Sequence, residues 1–309
     1  QSFIVFIIVL VATLWVFQDS FLKFLVFQKI TEQSDTTSEE VKETGYKEKI
    51  DNFFLKEYSK ELVLLHTINA RTYYSFENSP IELYEVKVKT FNEAQEEGLL
   101  LISNRAEILK SGEISFNGEV EIQTITGISH KLTTESLIVL SDDGLIKSNK
   151  QVTYLGKTSK IISEGMEMNI DSDTIYLSGN VKIFENSGVI IDTKNLYIIH
   201  SESEEIYKSN ESTVYRSKDT IVNSENGIDM DMNIELINLL GKVEVLIQSG
   251  GILESFNVVI DQSNDGEVIK SNSPSHYKSN IVDIKAKKMH YDAVTKKLEL
   301  MNRVVAVYE

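Results

Sequence analysis

IYLSGNVKIF (175–184) places Ile175, Leu177, Val181 and Ile183 on one parity and Tyr176, Ser178, Asn180 and Lys182 on the other, with Gly179 in the middle. That is the period-two pattern of a strand with one dry face and one wet face. Relatives of the stretch stand at ISFNGEVEIQ (114–123), ELINLLGKVEVLIQ (235–248) and LELMNRVVAVYE (298–309). Aligned on Gly118, Gly179, Gly241 and Asn302, they are separated by steps of 61, 62 and 61 residues. A register held this closely is the mark of a repeat architecture. The mid-strand glycine offers nothing to pack, so it predicts a bulge or sharp bend.

The dry face repeats as Ile114, Phe116, Val120 and Ile122, then Ile237, Leu239, Val243 and Val245, then Leu298, Leu300 and Val304. Other landmarks keep step. Turns are expected at Gly127, Gly188 and Gly250, followed by strands over 132–140, 190–199 and 253–260. LIKSNKQVTY (145–154), IYKSNESTVY (206–215) and VIKSNSPSHY (268–277) share a Lys-Ser-Asn core and read as strands, and 161–170, 223–232 and 283–292 close each unit. About four strands per repeat, with no long helical stretch, predict an all-β sandwich, jelly roll, barrel or solenoid.

Ahead of the repeats, FIVFIIVLVATLWVF (3–17) carries no charge, and Phe21–Phe27 is apolar apart from Lys23. Together they reach the roughly 20 residues that span a bilayer. The flanking Trp, Gln, Asp and Lys are not the small residues of a signal-peptide cleavage site, so residues 1–30 are expected to be an uncleaved transmembrane anchor. Residues 31–52 are acidic and aperiodic and read as a linker. The strand pattern starts at Phe53 and runs through 309.

Composition excludes several functions. The 309 residues are 41% hydrophobic, with 2 prolines and a formal charge of −16. That charge repels a phosphate backbone, so nucleic acid is not an expected partner. The absence of cysteine rules out disulfides, thiolate metal sites and thiol nucleophiles. The five histidines (His66, His130, His200, His276, His290) form no metal-ligand spacing. Asp229, Asp231 and Asn233 imitate the start of a calcium loop, but Ile234 and Leu240 stand where it needs Gly and Glu. They read instead as the wet face of a strand whose dry face is Met230, Met232 and Ile234. There is no phosphate-binding G-x-x-x-x-G-K-S/T loop and no G-x-S-x-G elbow, and no recurring carboxylate pair is expected to share a cleft. Neither catalytic residues nor a cofactor are expected. The basic C-terminal set, Lys285, Lys287, Lys288, Lys296, Lys297 and Arg303, reads as a solvated face.

LSGNVKI (177–183), with a strand before it and a glycine turn and IIDTKNLYII (190–199) after it, resembles the lipopolysaccharide-transport β-jelly-roll family of LptC, LptA (OstA-like) and the periplasmic part of LptD. The N-terminal order, one anchor, an acidic linker, YEVKVKTF (84–91), SNRAEI (103–108) and NGEVEI (117–122), is similar to LptC. The chain departs from that pattern in length, continuing through further LptA-like repeats. The resemblance implies an LptC-like part over about 53–175 and LptA-like repeats over about 176–309. It implies an elongated, open jelly roll, anchored by a single pass in the inner membrane with its β-domain in the periplasm.

The partners so implied are lipopolysaccharide or another glycolipid, the LptF- and LptG-like subunits of an ABC transporter, and a further LptA- or LptD-like jelly roll. An acyl chain leaving water for an apolar trough gains about 0.8 kcal/mol per CH2, so binding needs no covalent chemistry. The dry-face residues named above are the expected trough. Val304, Val305, Ala306 and Val307 are the expected edge that receives a partner strand, because an open edge presents unpaired N–H and C=O groups. The alternative is a β-repeat interaction protein of the adhesin kind; a solenoid carbohydrate enzyme would need a carboxylate cluster, and an outer-membrane barrel sits poorly with an N-terminal helix.

Overall fold

The computed structural model describes residues 45–308 apart from 60–61, 92–94, 126–129, 141–144, 170–173, 201–204, 248–249 and 264–265. The expected anchor (1–30), most of the expected linker and the turn at Gly127 lie outside the described residues. Among the described residues no helix is long and apolar enough to cross a membrane. All regular structure there is strand, so the described part is all-β as expected. It forms two compact units. One runs to Lys157 and takes in the segment from Glu167; the other takes Thr158–Met166 and everything from Thr174.

The first unit is an antiparallel meander of β1 (Glu48–Tyr58), β2 (Leu64–Ser75), β3 (Ile81–Phe91), β4 (Glu97–Ile108), β5 (Ile114–Thr124) and β6 (Lys131–Leu140), each paired with the next. β7 (Leu145–Ser148) and β8 (Val152–Leu155) then pair with opposite ends of β6. β1 starts ahead of Phe53, within the stretch expected to be linker. Its inward positions alternate as Glu48 and Ile50, then Phe53, Leu55 and Glu57, but the phase slips at Asn52, where φ is 57°, and two of the five are glutamates, so the pattern is not legible as a dry face in sequence. A bulge interrupts β5 between Asn117 and Val120, at Gly118. β9 (Ser159–Asn169) is shared, its part up to Met166 belonging to the second unit.

The second unit repeats one pattern. β10 (Thr174–Glu185) and β11 (Ile190–His200) form a long hairpin closed at Gly188, whose N–H donates to the Glu185 carbonyl at 3.0 Å. β11 pairs through Tyr197–His200 with β12 (Glu205–Ser209) and through Ile190–Asp192 with β13 (Thr213–Arg216). These face β15 (Ile228–Asp231) and β14 (Thr220–Ser224), and both of those pair with β16 (Leu236–Ile247). The cycle repeats through β17 (Ile252–Asp261), β18 (Val268–Ser271), β19 (Ser275–Lys278), β20 (Val282–Ala286), β21 (Lys288–Asp292), β22 (Lys297–Met301) and β23 (Val305–Tyr308). Each repeat holds six strands rather than the four expected, arranged as four rungs. Every second pair of rungs is broken in two.

The breaks line up into a crease, because the two halves of each broken rung pair with the two halves of its neighbour. On β10 and β16 the crease falls at bulges between Leu177 and Asn180 and between Leu239 and Lys242, around Gly179 and Gly241 as expected. Gly179 has φ of 77°, a conformation that a side chain rarely adopts, and an added Cβ would lie 2.3 Å from Glu164 Oε2. On β11 and β17 the crease falls at Asn195 and Asn257, with φ of 50° and 48°. Asparagine tolerates this region, and its side chain is used: the Gly179 N–H donates to Asn195 Oδ1 at 3.1 Å and the Gly241 N–H to Asn257 Oδ1 at 2.9 Å. Side chains from one half reach the other, as where the Tyr207 and Ser159 hydroxyls meet at 2.8 Å in the interior. The two halves are therefore the layers of a folded-over sheet, the β-jelly-roll arrangement.

The Lys-Ser-Asn segments, expected as single strands, are where β7, β12 and β18 stop. Ser148, Ser209 and Ser271 are buried there and hydrogen-bond Thr134, Thr193 and Ser255 on the neighbouring long strand at 2.9, 3.0 and 2.9 Å. Each seryl oxygen also accepts the amide two residues on, from Lys150, Glu211 and Ser273, turning the chain out of the ladder. The segment 223–232 is likewise split at 225–227, and 283–292 at Lys287. Met232 and Ile234, expected on a dry face, lie in the turn after β15, and Ile234 is exposed. LELMNRVVAVYE is two strands, because Asn302 and Arg303 adopt φ of 65° and 55° at the crease. Val304 falls in that break rather than on a dry face and is 49% exposed.

Candidate functional site

Within the second unit, turns and strand ends on the edge away from the crease line a cleft of about 820 Å³. Its walls are the β10–β11 turn (185–190), the β13–β14 turn (216–219), the β15–β16 turn (230–237), Gln262, Ser263, Gly266 and Glu267 between β17 and β18, and Ala293 and Val294 after β21. Its buried apolar surface comes from Val189, Met230, Ile237 and Ala293. These lie next to the inward face of the layers, so the cleft opens onto the same apolar interior that the repeat pattern builds.

Polar groups crowd the mouth. Glu185, Asp219, Asp231, Glu235 and Glu267 line it together with Arg216 and Lys218. Burial pushes the Glu185 carboxyl up to about 6; the Ser187 hydroxyl opposes the rise and the charges of Glu235 and Glu267 add to it. Ser187 donates to Glu185 at 3.0 Å. Glu267 is held by Tyr215, whose hydroxyl donates to it at 2.8 Å while accepting from Gln262 at 2.9 Å, and by the Thr220 hydroxyl. Burial, then the neighbouring carboxylate, pushes the Tyr215 phenol far up, so Tyr215 stays a neutral donor. Arg216 pairs with Asp192, which stands outside the lining. Glu205, 62 positions before Glu267, also accepts from a tyrosine, but from Tyr207 on its own strand β12, at 2.6 Å.

Of the expected trough residues, Ile237 lines the cleft. Ile175, Leu177, Val181, Ile183, Leu239, Val243 and Val245 lie deeper, each at most 2% exposed, and Ile114, Phe116, Val120 and Ile122 are buried in the first unit. Leu298 and Leu300 are half-buried. The expected edge residues Val304, Val305, Ala306 and Val307 are exposed. β23 pairs with β20, and among the described residues no strand pairs with its other side.

Sequence reasoning missed the cleft's carboxylates. No shared cleft was expected for them, yet Glu185, Glu235 and Glu267 line one. They come from unlike positions in the repeat, so its register carried no trace of them. No group of histidine, aspartate or glutamate among the described residues is arranged to hold a metal ion. The buried His66 has a ring nitrogen 3.1 Å from Glu57 Oε2, and His276 lies between two carboxylates, 2.8 Å from Asp283 and 3.6 Å from Glu254.

A search of curated proteins finds no significant match to the chain. The profile of the family described as "Lipopolysaccharide-assembly, LptC-related" matches residues 4–186, ending just after β10. That span is more than half of the chain, and it carries the meander, the first bulged strand and the LSGNVKI segment. The chain belongs to the LptC-related lipopolysaccharide-assembly family.

Proposed function

We propose that this protein is a non-enzymatic carrier that takes lipopolysaccharide or a related glycolipid from an inner-membrane ABC transporter and passes it towards the outer membrane. The observation that carries the reading is a cleft opening onto an apolar, two-layered interior in a member of this family. Acyl chains enter between the layers at Ile237 and displace side-chain contacts there, and the headgroup stays at the polar mouth. The inward residues Ile175, Leu177, Val181, Ile183, Leu239, Val243 and Val245 become the lipid's lining as the layers part, and Ile114, Phe116, Val120 and Ile122 serve the same role in the first unit. Residues 53–175 act as the LptC-like part, docking on LptF- and LptG-like subunits, and 176–309 as LptA-like repeats that lengthen the bridge. Residues 1–30 anchor the chain, with the β-domain in the periplasm.

The exposed edge of β23 receives a strand of another jelly roll by β-augmentation. A photo-reactive residue at Ile237 should crosslink to glycolipid in cells, whereas one at the exposed Lys182 should not. Labelling of lipid from Lys182 and only of protein from Ile237 would mean that inside and outside are reversed.

A further inference from the structure

The mouth of the second unit's cleft carries an excess of negative charge. Five carboxylates face two cationic side chains there, and one of the two, Arg216, is committed to Asp192 outside the lining. The carboxylates come from separate places: Glu185 from the end of β10, Asp219 from the β13–β14 turn, Asp231 from the end of β15, Glu235 from the turn after it, and Glu267 from the link before β18. Asp231 is occupied by the Asn233 amide and Glu267 by Tyr215 and Thr220, but neither contact brings a positive charge. A headgroup held at this mouth sits in a negative field, within a partly desolvated cleft where such fields act strongly.

We propose that this cleft prefers glycolipids whose headgroup phosphates are absent or offset by amines, and disfavours headgroups with unmasked phosphates. The proposal rests on the reading of the cleft as a glycolipid site. An amine would be drawn to Glu185 and Glu235, whereas a bare phosphate would meet carboxylates with Lys218 as its available counter-charge. Because Glu185 is already pushed up to about 6, acid removes one of the repelling charges, with Glu235, Glu267, Asp219, Asp231, Arg216 and Lys218 as the surrounding groups. The discrimination should therefore be strongest above neutrality.

The test uses the full chain in phosphatidylcholine nanodiscs with a photo-reactive residue at Val294, an exposed position on the cleft wall. Diphosphorylated lipid A and its enzymatically dephosphorylated form compete for labelling, with EDTA present so that divalent ions do not mask the phosphates. The dephosphorylated form should label about tenfold better at pH 8, the ratio should shrink at pH 5, and Glu185→Gln with Glu235→Gln should shrink it at pH 8. Equal labelling at pH 8, a preference for the diphosphorylated lipid, or a ratio the glutamine variants leave unchanged would overturn the proposal while leaving the cleft a lipid site. No labelling by either lipid at any pH would overturn the glycolipid reading itself, and this proposal with it.

Discussion

Glu185 carries its charge into the folded state at a cost. Its folded value of about 6 lies above its ordinary 4.5, so the folded protein holds a proton that the unfolded chain releases. The stability tied to that proton is fully present below about pH 4.5 and is lost as pH rises through about 6, a penalty of about 2 kcal/mol above that. Glu185→Gln should accordingly stabilise the second unit by about that amount at pH 8, with the pH-dependent gain fading towards pH 4.5, as read by denaturant melts across pH. Gly227 makes a different prediction. An added Cβ would lie 1.9 Å from the Ser209 carbonyl oxygen, and φ is 99°. Backbone cannot swing aside as a side chain can, so Gly227→Ala should cost more than about 3 kcal/mol and lower the melting temperature sharply. Gly188→Ala, where the added carbon meets nothing within 4 Å, should cost clearly less.

At the scale of the element, the crease depends on small hydroxyls as much as on glycine. Ser209 is bonded to Thr193, to the Lys194 carbonyl at 2.6 Å and to the Glu211 amide. Ser209→Ala should cost about 1–3 kcal/mol through the polar groups it leaves buried, although it removes almost no apolar area; a chemical melt measures it. The edge strand β23 gives a paired prediction. Backbone donors along an antiparallel strand point alternately to the partner and away from it, so of Val305 and Ala306 one donates towards β20 and the other towards the open side. Proline at the first should weaken folding of the last repeat. Proline at the second should lower capture of a partner jelly roll while lipid labelling at Ile237 persists, and unchanged capture by both variants would rule out augmentation at this edge.

For the molecule as a whole, the anchor and the β-units have separate tests. If residues 1–30 hold the chain in the inner membrane, alkaline extraction should leave the full-length protein in the membrane fraction. Proteolytic release beyond residue 30 should then free both units in folded form. A mature chain found to begin after residue 20 would show a cleaved signal instead.

What the sequence determined by itself is what its periodicity encodes. Alternation of apolar residues decides which face of β10 or β16 is dry, since a one-residue slip would turn Leu177 or Leu239 to water. The spacing of Gly118, Gly179 and Gly241 decides where those strands bulge, and Asn302 continues the series in the left-handed conformation that both residue types tolerate. The Lys-Ser-Asn recurrence was visible too, but not its meaning. A buried serine that ends a strand looks in sequence like any polar residue on a wet face, and only its partner on the neighbouring rung, Thr193 for Ser209, reveals the break. The expected dry face at Val304 failed for the same reason, because continuity of a strand depends on what lies beside it. The cleft belongs wholly to the tertiary structure. Glu185, Glu235 and Glu267 come from separate places in the chain with no common register, and they acquire a shared field, and Glu185 its raised value, only when folding over the crease brings those places to one mouth.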